Sequence, residues 1–414
     1  MDHGKRSAWL QTWGTLALAI GCTCASAAEY TSTVLATGLN NPRGLAFGPD
    51  GALYVTEAGL ASGTGPTTVV RGETFTYTQS GSVTRYFSGS QTRVLTSLAS
   101  IYGTGGDVVG PNGITFGPSG SPIIAIGAGI NPTVRSTDLG PGGVNLSQLL
   151  SGGTSIDLGA YEAANNPAGG PLDSDPWHVA RIAGATLVTD AGGNSLLRVA
   201  DNGTITTVAS FASRALGGPF PTEPVPTGIA VGPDGAYYVS ELTGFPFVPG
   251  AARIYRIAPG GTPTIFATGF TMLTDLAFGA DGSLYALEYD SNGVLNPGSS
   301  GALWKVGTDG SRSLVFSEGL ENATGLAIGA DGFYVSNFGS SSGQGQVLLV
   351  AAIPEPETYA LMLLGLGAMG VLRRKQEWPL VGWRRAGFSS HGIQAASGLL
   401  PRVRFASHCT SSVR

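Results

Sequence analysis

Cysteine, lysine and histidine are almost missing from the body of this 414-residue chain, and each gap removes a class of function. The three cysteines are Cys22, Cys24 and Cys409, so the stretch 28–353 has none. That excludes a disulfide framework and a cysteine-ligated metal there. Stability must come from core size, which a domain of this length can supply. Lys305 is the one lysine of the stretch, where 12 Arg and Lys stand against 23 Asp and Glu, a formal charge of −11. An acidic body without basic clusters argues against nucleic acid as a partner. His178 is its one histidine. There is no Cys/His metal spacing, no phosphate loop and no EF-hand loop with carboxylates at alternate positions.

What is present is glycine, 65 residues of it, and a phrase that recurs. The phrase reads Pro42-Arg43-Gly44-Leu45-Ala46-Phe47-Gly48-Pro49-Asp50-Gly51-Ala52-Leu53-Tyr54-Val55-Thr56-Glu57. Close copies begin at Thr227, Thr274 and Thr324, and looser ones at Asn112 and Trp177. Each is a short apolar strand, a tight turn and a second strand. Counted from the residue after Arg43, the copies start at 44, 113, 178, 228, 275 and 325, in steps of 69, 65, 50, 47 and 50. Strands alone, at a period near 50, predict a radial array of small sheets, an all-β, six-bladed β-propeller with NHL-like blades. The Asp-Gly turns are read as conformational: Asp caps the turn and Gly takes its positive φ.

The fourth copy shows four strands: Gly228–Val231, Ala236–Ser240, Ala252–Ile257 and Thr264–Ala267. First strands are rich in small residues, as expected where blades converge on an axis, and Leu45, Phe47, Ile229, Leu276 and Leu326 are expected to pack between blades. The sixth copy supplies only three strands up to Val350, so Tyr30–Ala36 is expected to close the ring as its fourth. Two insertions stand out, Gly59–Ser80 in blade one and Asn131–Asp175 in blade two; the latter holds strand-like Leu146–Leu150 and Ser155–Ala160. Loops of this length are often functional.

Both ends read as addresses. Residues 1–28 have Lys5 and Arg6, an apolar middle from Leu16 to Cys22, and Ala25-Ser26-Ala27, the pattern of a signal peptide cleaved by signal peptidase before Ala28 or Glu29. A lipoprotein signal at Cys22 is the weaker alternative, with Ala19 where a larger aliphatic residue is usual. At the other end, Pro354-Glu355-Pro356 precedes an apolar stretch, Tyr359–Leu372, and then Arg373-Arg374-Lys375. This order resembles the PEP-CTERM sorting signal of Gram-negative bacteria, which implies processing by an exosortase. The 14 apolar residues would span about 21 Å as a helix, short of a comfortable crossing, which suits a transient membrane anchor. The signal is therefore placed at 353–375 and the propeller at 29–352. Such signals usually end soon after the basic cluster, whereas residues 376–414 continue and are read as a disordered tail.

Three stretches carry a second resemblance: Asp190-Ala191-Gly192-Gly193-Asn194-Ser195-Leu196-Leu197-Arg198-Val199, Glu241-Leu242-Thr243-Gly244-Phe245-Pro246-Phe247, and Tyr161-Glu162 with Asn165-Asn166-Pro167. With the repeats, they resemble the ScyD/ScyE family of exported propellers over roughly 30–350. That resemblance implies fold and export rather than a reaction.

Because first and second strands are antiparallel, one face collects Glu57, Asp190, Glu241, Glu288 and Asn337 at second-strand ends, and Arg43, Asn112, His178 and Asp275 at first-strand starts. The functional reading is a cation or polar-ligand site at a funnel mouth. The structural alternative is that these groups cap turns and bond backbone amides. Two enzyme classes come into view. The Pro-Arg-Gly-Leu-Ala-Phe phrase is loosely similar to quinoprotein sugar dehydrogenases, in which a histidine acts as base, a role that would fall to His178. Propeller lactonases hold calcium with Glu, Asn and Asp on this face; Glu57, Asp190 and Asn337 are of those types, which makes calcium a candidate cofactor. Phe245 and Phe247, in a loop near Glu241, are candidates for stacking on a glycan or planar ligand. The reading favoured is an exported, surface- or matrix-associated binder of an exopolysaccharide or small polar ligand. The alternative is a periplasmic lactonase or quinoprotein enzyme using Glu57, Asp190, Glu241 and His178.

Overall fold

The six repeats fold into six antiparallel sheets, each laid down from the axis outward. The computed structural model describes residues 29–353 apart from positions 219, 297 and 299. The expected signal peptide, the sorting segment from Pro354 with its apolar stretch, and the tail to Arg414 lie outside the described residues. Among the described residues, no helix is long and apolar enough to cross a membrane.

Blades three, four and five are four-stranded and regular. Blade four runs Pro226–Val231, Tyr237–Glu241, Ala252–Ile257 and Thr264–Phe270, within three residues of the bounds expected from the repeat. Blade six takes three strands from 325–352 and its fourth from the other end of the chain. Tyr30–Asn40 pairs antiparallel with Ser342–Ala352, from Tyr30 opposite Ala352 to Asn40 opposite Ser342. The ring is thus closed as expected, and one open sheet edge is removed. Glu29 and Ile353 meet on the face opposite the strand-end carboxylates, where the Ile353 N–H donates to the Glu29 carbonyl at 2.7 Å.

Small residues at the first-strand starts have a steric cause. A Cβ on Gly44 would stand 2.7 Å from the Asn112 carbonyl oxygen, one on Gly113 2.7 Å from the His178 Cα, and one on Gly228 2.7 Å from the Asp275 Cα. Gly325 meets the Arg43 carbonyl in the same way. Each contact is with the next blade, so the seam near the axis is backbone against backbone. Every seam also carries a side-chain hydrogen bond to a carbonyl across it. Thr56 donates to Asn112, Asn112 to Pro176, Thr189 to Thr227, Thr227 to Leu273, Thr274 to Ala323, and Thr324 to Pro42. Further out, Leu45, Ile229, Leu276 and Leu326 are buried between sheets. Phe47 differs from them: it is 37% exposed at the rim, with its ring edge-on to Tyr334 of blade six at 5.0 Å.

The insertions are built, not loose. In blade one, Thr67–Val70 pairs with the start of the long strand Glu73–Phe87. In blade two the third and fourth strands are Gln148–Ser151 and Thr154–Asp157. The strand expected to reach Ala160 stops at Asp157, because Asp157 caps a helix, Leu158–Asn165, by accepting from the Ala160 N–H at 2.8 Å. That cap satisfies an otherwise unpaired helix donor and turns the chain. Buried Arg135 pins the insertion, donating to the Pro132 and Leu146 carbonyls and to both oxygens of Asp157. The two insertions touch where Thr68 donates to Asp138 at 2.7 Å.

Candidate functional site

The strand-end residues sit in separate blades and face their own loops. Glu57 accepts from the Asn40 N–H at 2.7 Å, from the Ser82 and Thr84 hydroxyls, and from Arg93. Asp190 accepts from the N–H groups of Asp175 and Gly193 and from the Ser174 hydroxyl. Glu288 accepts from the Thr271 N–H and the Trp304 indole, each at 2.7 Å. Asn337 accepts from the Glu321 N–H and donates to the Gly319 carbonyl. The amide donor lies 17, 15, 17 and 16 residues upstream in these four cases. The repeat thus uses this position to hold the loop entering its own blade. In blade two Ile126 occupies it, opposite Pro111 as Glu57 is opposite Pro42. Burial pushes the Glu57 carboxyl up, but Arg93, Thr84 and the Asn40 N–H outweigh it and leave its pKa below the ordinary value. Among the described residues, no three His, Cys, Asp or Glu converge as metal ligands. Glu57, Asp190 and Asn337 each turn to the loop entering their own blade and so do not form one calcium set.

The structure does bring His178 and Asp275 together. Of the six equivalent first-strand positions, four are glycine and these two are not. His178 Nε2 reaches from blade three to 3.3 Å from Asp275 Oδ1 in blade five. Asp275 also accepts from the N–H groups of Leu276 and Leu326, each at 2.7 Å. Burial raises the Asp275 pKa, with His178 opposing. His178 Nδ1 is buried without a hydrogen-bond partner among the described residues.

Near this pair lies a layer the sequence reading did not assemble. Arg43 donates to the carbonyls of Gly339 at 3.0 Å and Val108 at 2.8 Å, and its guanidinium lies 5.5 Å from the centre of the Trp177 ring. Burial lowers the Arg43 pKa, while Tyr289, Asp175 and Asp107 oppose that shift. Beside it, Asn112 donates to Asp175 Oδ1 at 3.2 Å, and Glu162, Asp173, Asp175 and Asp190 lie close enough to repel one another. Burial first, then neighbouring carboxylates, pushes Glu162, Asp173 and Asp175 each up to about 7. The blade-one insertion covers this group through Arg71, 3.6 Å from Asp173 and 3.4 Å from Glu223. Asp173 and Asp175 bracket Ser174 directly before the third copy of the repeat. That was the signal available in the sequence, but only the helix 158–165 brings Glu162 to it.

This cluster sets a pH dependence. A carboxyl raised in the fold holds its proton where the unfolded chain has released it, so its contribution is lost as pH rises from about 4 through about 7. Asp175→Asn mimics the protonated form. We expect it to match the parent in urea unfolding below about pH 4 and to exceed it by about 1–3 kcal/mol at pH 8. An equal difference at both pH values would mean that the Asp175 pKa is not raised in the fold.

Phe245 and Phe247 form an edge-on pair, with centroids 6.2 Å apart, in a loop after Glu241; Phe245 is 72% exposed. Glu241 itself is buried and bonds Arg214 at 2.6 Å.

The chain matches the PEP-CTERM protein-sorting motif over residues 352–376. It is thus a six-bladed β-propeller exported and sorted to the cell envelope or surface, and the motif supports processing by an exosortase. No curated protein sequence matches it. Solved structures with a similar fold include a catalytically inactive virginiamycin B lyase from Staphylococcus aureus with quinupristin. That likeness has 14% identity and a TM-score of 0.45, and covers 78% of this chain and 99% of that one. A gluconolactonase from Xanthomonas campestris aligns at 12% identity and a TM-score of 0.48, over 79% of this chain and 92% of its own. A PQQ-bound aldose sugar dehydrogenase from Streptomyces coelicolor aligns at 16% and 0.35, over 78% and 99%. Likenesses this distant say nothing about chemistry.

Proposed function

We propose that this propeller is an exported binding protein of the ScyD/ScyE type, which holds a polar ligand or partner on its insertion-bearing face without turning it over. After removal of a signal peptide and sorting, it would act in the periplasm, on the outer surface or in the extracellular matrix. The observation that carries this reading is the commitment of the strand-end groups. Glu57, Asp190, Glu288 and Asn337 each spend acceptor capacity on an upstream backbone amide. A general base or metal ligand needs lone pairs aimed at the ligand.

One observation favours the enzymatic alternative. Asp275 orients His178, as a carboxylate orients a catalytic imidazole. The free nitrogen, however, is shut away from solvent, so a substrate could not reach it without rearrangement of the axis.

The test is to purify the exported protein, measure bound metal, and assay δ-gluconolactone hydrolysis with calcium and glucose oxidation with added quinone and dye. We expect no turnover in either assay. Stoichiometric calcium with lactone hydrolysis lost in Asp190→Ala, or glucose oxidation lost in His178→Ala, would establish the enzyme instead.

A further inference from the structure

On the face opposite the strand-end carboxylates, the aspartate of each blade's first turn is fastened in the same way in blades one and four. Asp50 takes the Tyr54 hydroxyl at 3.2 Å and Arg85 at 2.7 Å, and Asp234 takes the Tyr238 hydroxyl at 3.2 Å and Arg256 at 2.7 Å. Blade five departs from this. Asp281 accepts from the N–H and the hydroxyl of Ser283, at 3.0 and 2.8 Å, and its basic partner, Lys305, stands off at 3.4 Å. The Lys305 side chain is 44% exposed, with the Tyr285 ring centre 5.8 Å from its Nζ. An ammonium carries three N–H donors, so most of its capacity is unspent.

Lys305 and Arg256 line one cleft of about 620 Å³ between blades four and five. That is the size of a small-molecule site. Both side chains are more than a third exposed, so the cleft is open to solvent. Its floor is aromatic. Tyr238 lies edge-on to Phe266 at 5.0 Å and to Phe278 at 5.1 Å, and both phenyl rings are only half-buried.

We infer that this cleft binds an aromatic carboxylate, with its ring on Phe266 and Phe278 and its charge on Lys305. The site lies on the face opposite the one invoked above for ligand binding, goes beyond that reading and stands independently of it. Charge decides the class. The acids of the cleft are committed to their own turns, Asp234 also taking the Ala236 N–H at 3.1 Å. The cations keep donors to spare, since Arg256 spends only Nε and Nη2, both on Asp234. A ligand that enters the cleft therefore meets free cationic donors, and a charged acceptor gains most from them. A cationic ligand would have to displace Lys305 or Arg256 from its carboxylate. The ring is held by apolar burial and by edge and face contacts with the phenyl groups.

Naphthoate titrated into the purified exported protein, followed by calorimetry, tests this. Saturable binding is expected, weakened about tenfold by Lys305→Met and weakened also by Phe266→Ala. Lys305→Met controls for folding, because an ion pair this exposed contributes little and the melting temperature should hold. Naphthylmethanol, which has the ring without the charge, should bind the parent more weakly and bind Lys305→Met equally well. No saturable binding of naphthoate, or binding indifferent to Lys305→Met, would overturn the site. Equal affinity of the parent for the acid and the alcohol would overturn it too, because the charge would then be idle.

Discussion

Gly325→Ala is expected to destabilise the propeller by about 3 kcal/mol or more. The added Cβ meets the Arg43 carbonyl, with the Arg43 carbonyl carbon and the Gly44 Cα next in line. All three are backbone atoms of blade one, so no side chain can swing aside. The only relief is to move one sheet away from its neighbour. That seam also carries the Thr324 hydroxyl bond to Pro42 at 2.7 Å, and it separates the chain's first full blade from its last. Overpacking against backbone costs about 3 kcal/mol or more, a large part of the stability of an ordinary domain. Gly38→Ala is the comparison. Gly38 has a φ of +70° and nothing within 4 Å of its Cβ direction, so the cost is conformational alone, about 1 kcal/mol. Urea midpoints of the two variants separate sterics from backbone strain. A Gly325→Ala protein as stable as Gly38→Ala would mean that the seam at the axis has slack.

The blades were legible because their cause is local. A Gly-x-Asp-Gly turn between two apolar runs makes a hairpin whatever surrounds it. Four repeats of such hairpins, and two looser ones, set a spacing that only a ring can satisfy. Closure by Tyr30–Ala36 followed from counting, since a sixth copy with three strands needs a fourth. The helix 158–165 was missed because Ser155–Ala160 alternates well enough for a strand, and one capping aspartate redirects it. The site was less legible for a different reason. An acid after a strand reads the same whether it faces water or turns back onto an amide 15–17 residues upstream. Glu57, Asp190 and Glu288 turn back. Glu241 is the exception and bonds Arg214; it is visible in sequence only once that rule is known, because the residue 17 before it is Pro224, which has no N–H to give. Likewise His178 and Asp275 are far apart in the chain, and only the ring brings blade three's first strand near blade five's.

Glu57→Ala is expected to cost about 2–4 kcal/mol, most of it from the hydroxyl and N–H donors left behind, since Arg93 is 43% exposed and falls back on water. Glu57 is fully buried and receives the Asn40 N–H, two hydroxyls and the Arg93 guanidinium, whose Nη2 lies 2.8 Å away. Arg93 also donates to the Gly38 carbonyl, so one ion pair joins the outer strand of blade one to the closing strand of blade six. Beside it, the Gln91 amide both donates to and accepts from the Thr37 backbone, extending the same join. Removing the carboxylate orphans a buried donor and loosens the seam where the two ends of the propeller meet. Glu57→Gln keeps an oxygen for Asn40 but loses the charge for Arg93, and should cost about 1–3 kcal/mol. The Glu57 pKa is lowered in the fold, so its contribution is present at neutral pH and fades as pH falls through the folded value. The penalty of Glu57→Gln should therefore shrink in acid. These readouts distinguish a fastener from a functional acid. A residue serving ligand or metal would lose binding when changed and keep its urea midpoint; a fastener loses the midpoint first. Glu57→Ala with an unchanged midpoint would return this carboxylate to the list of binding groups and reopen the funnel as a site of chemistry.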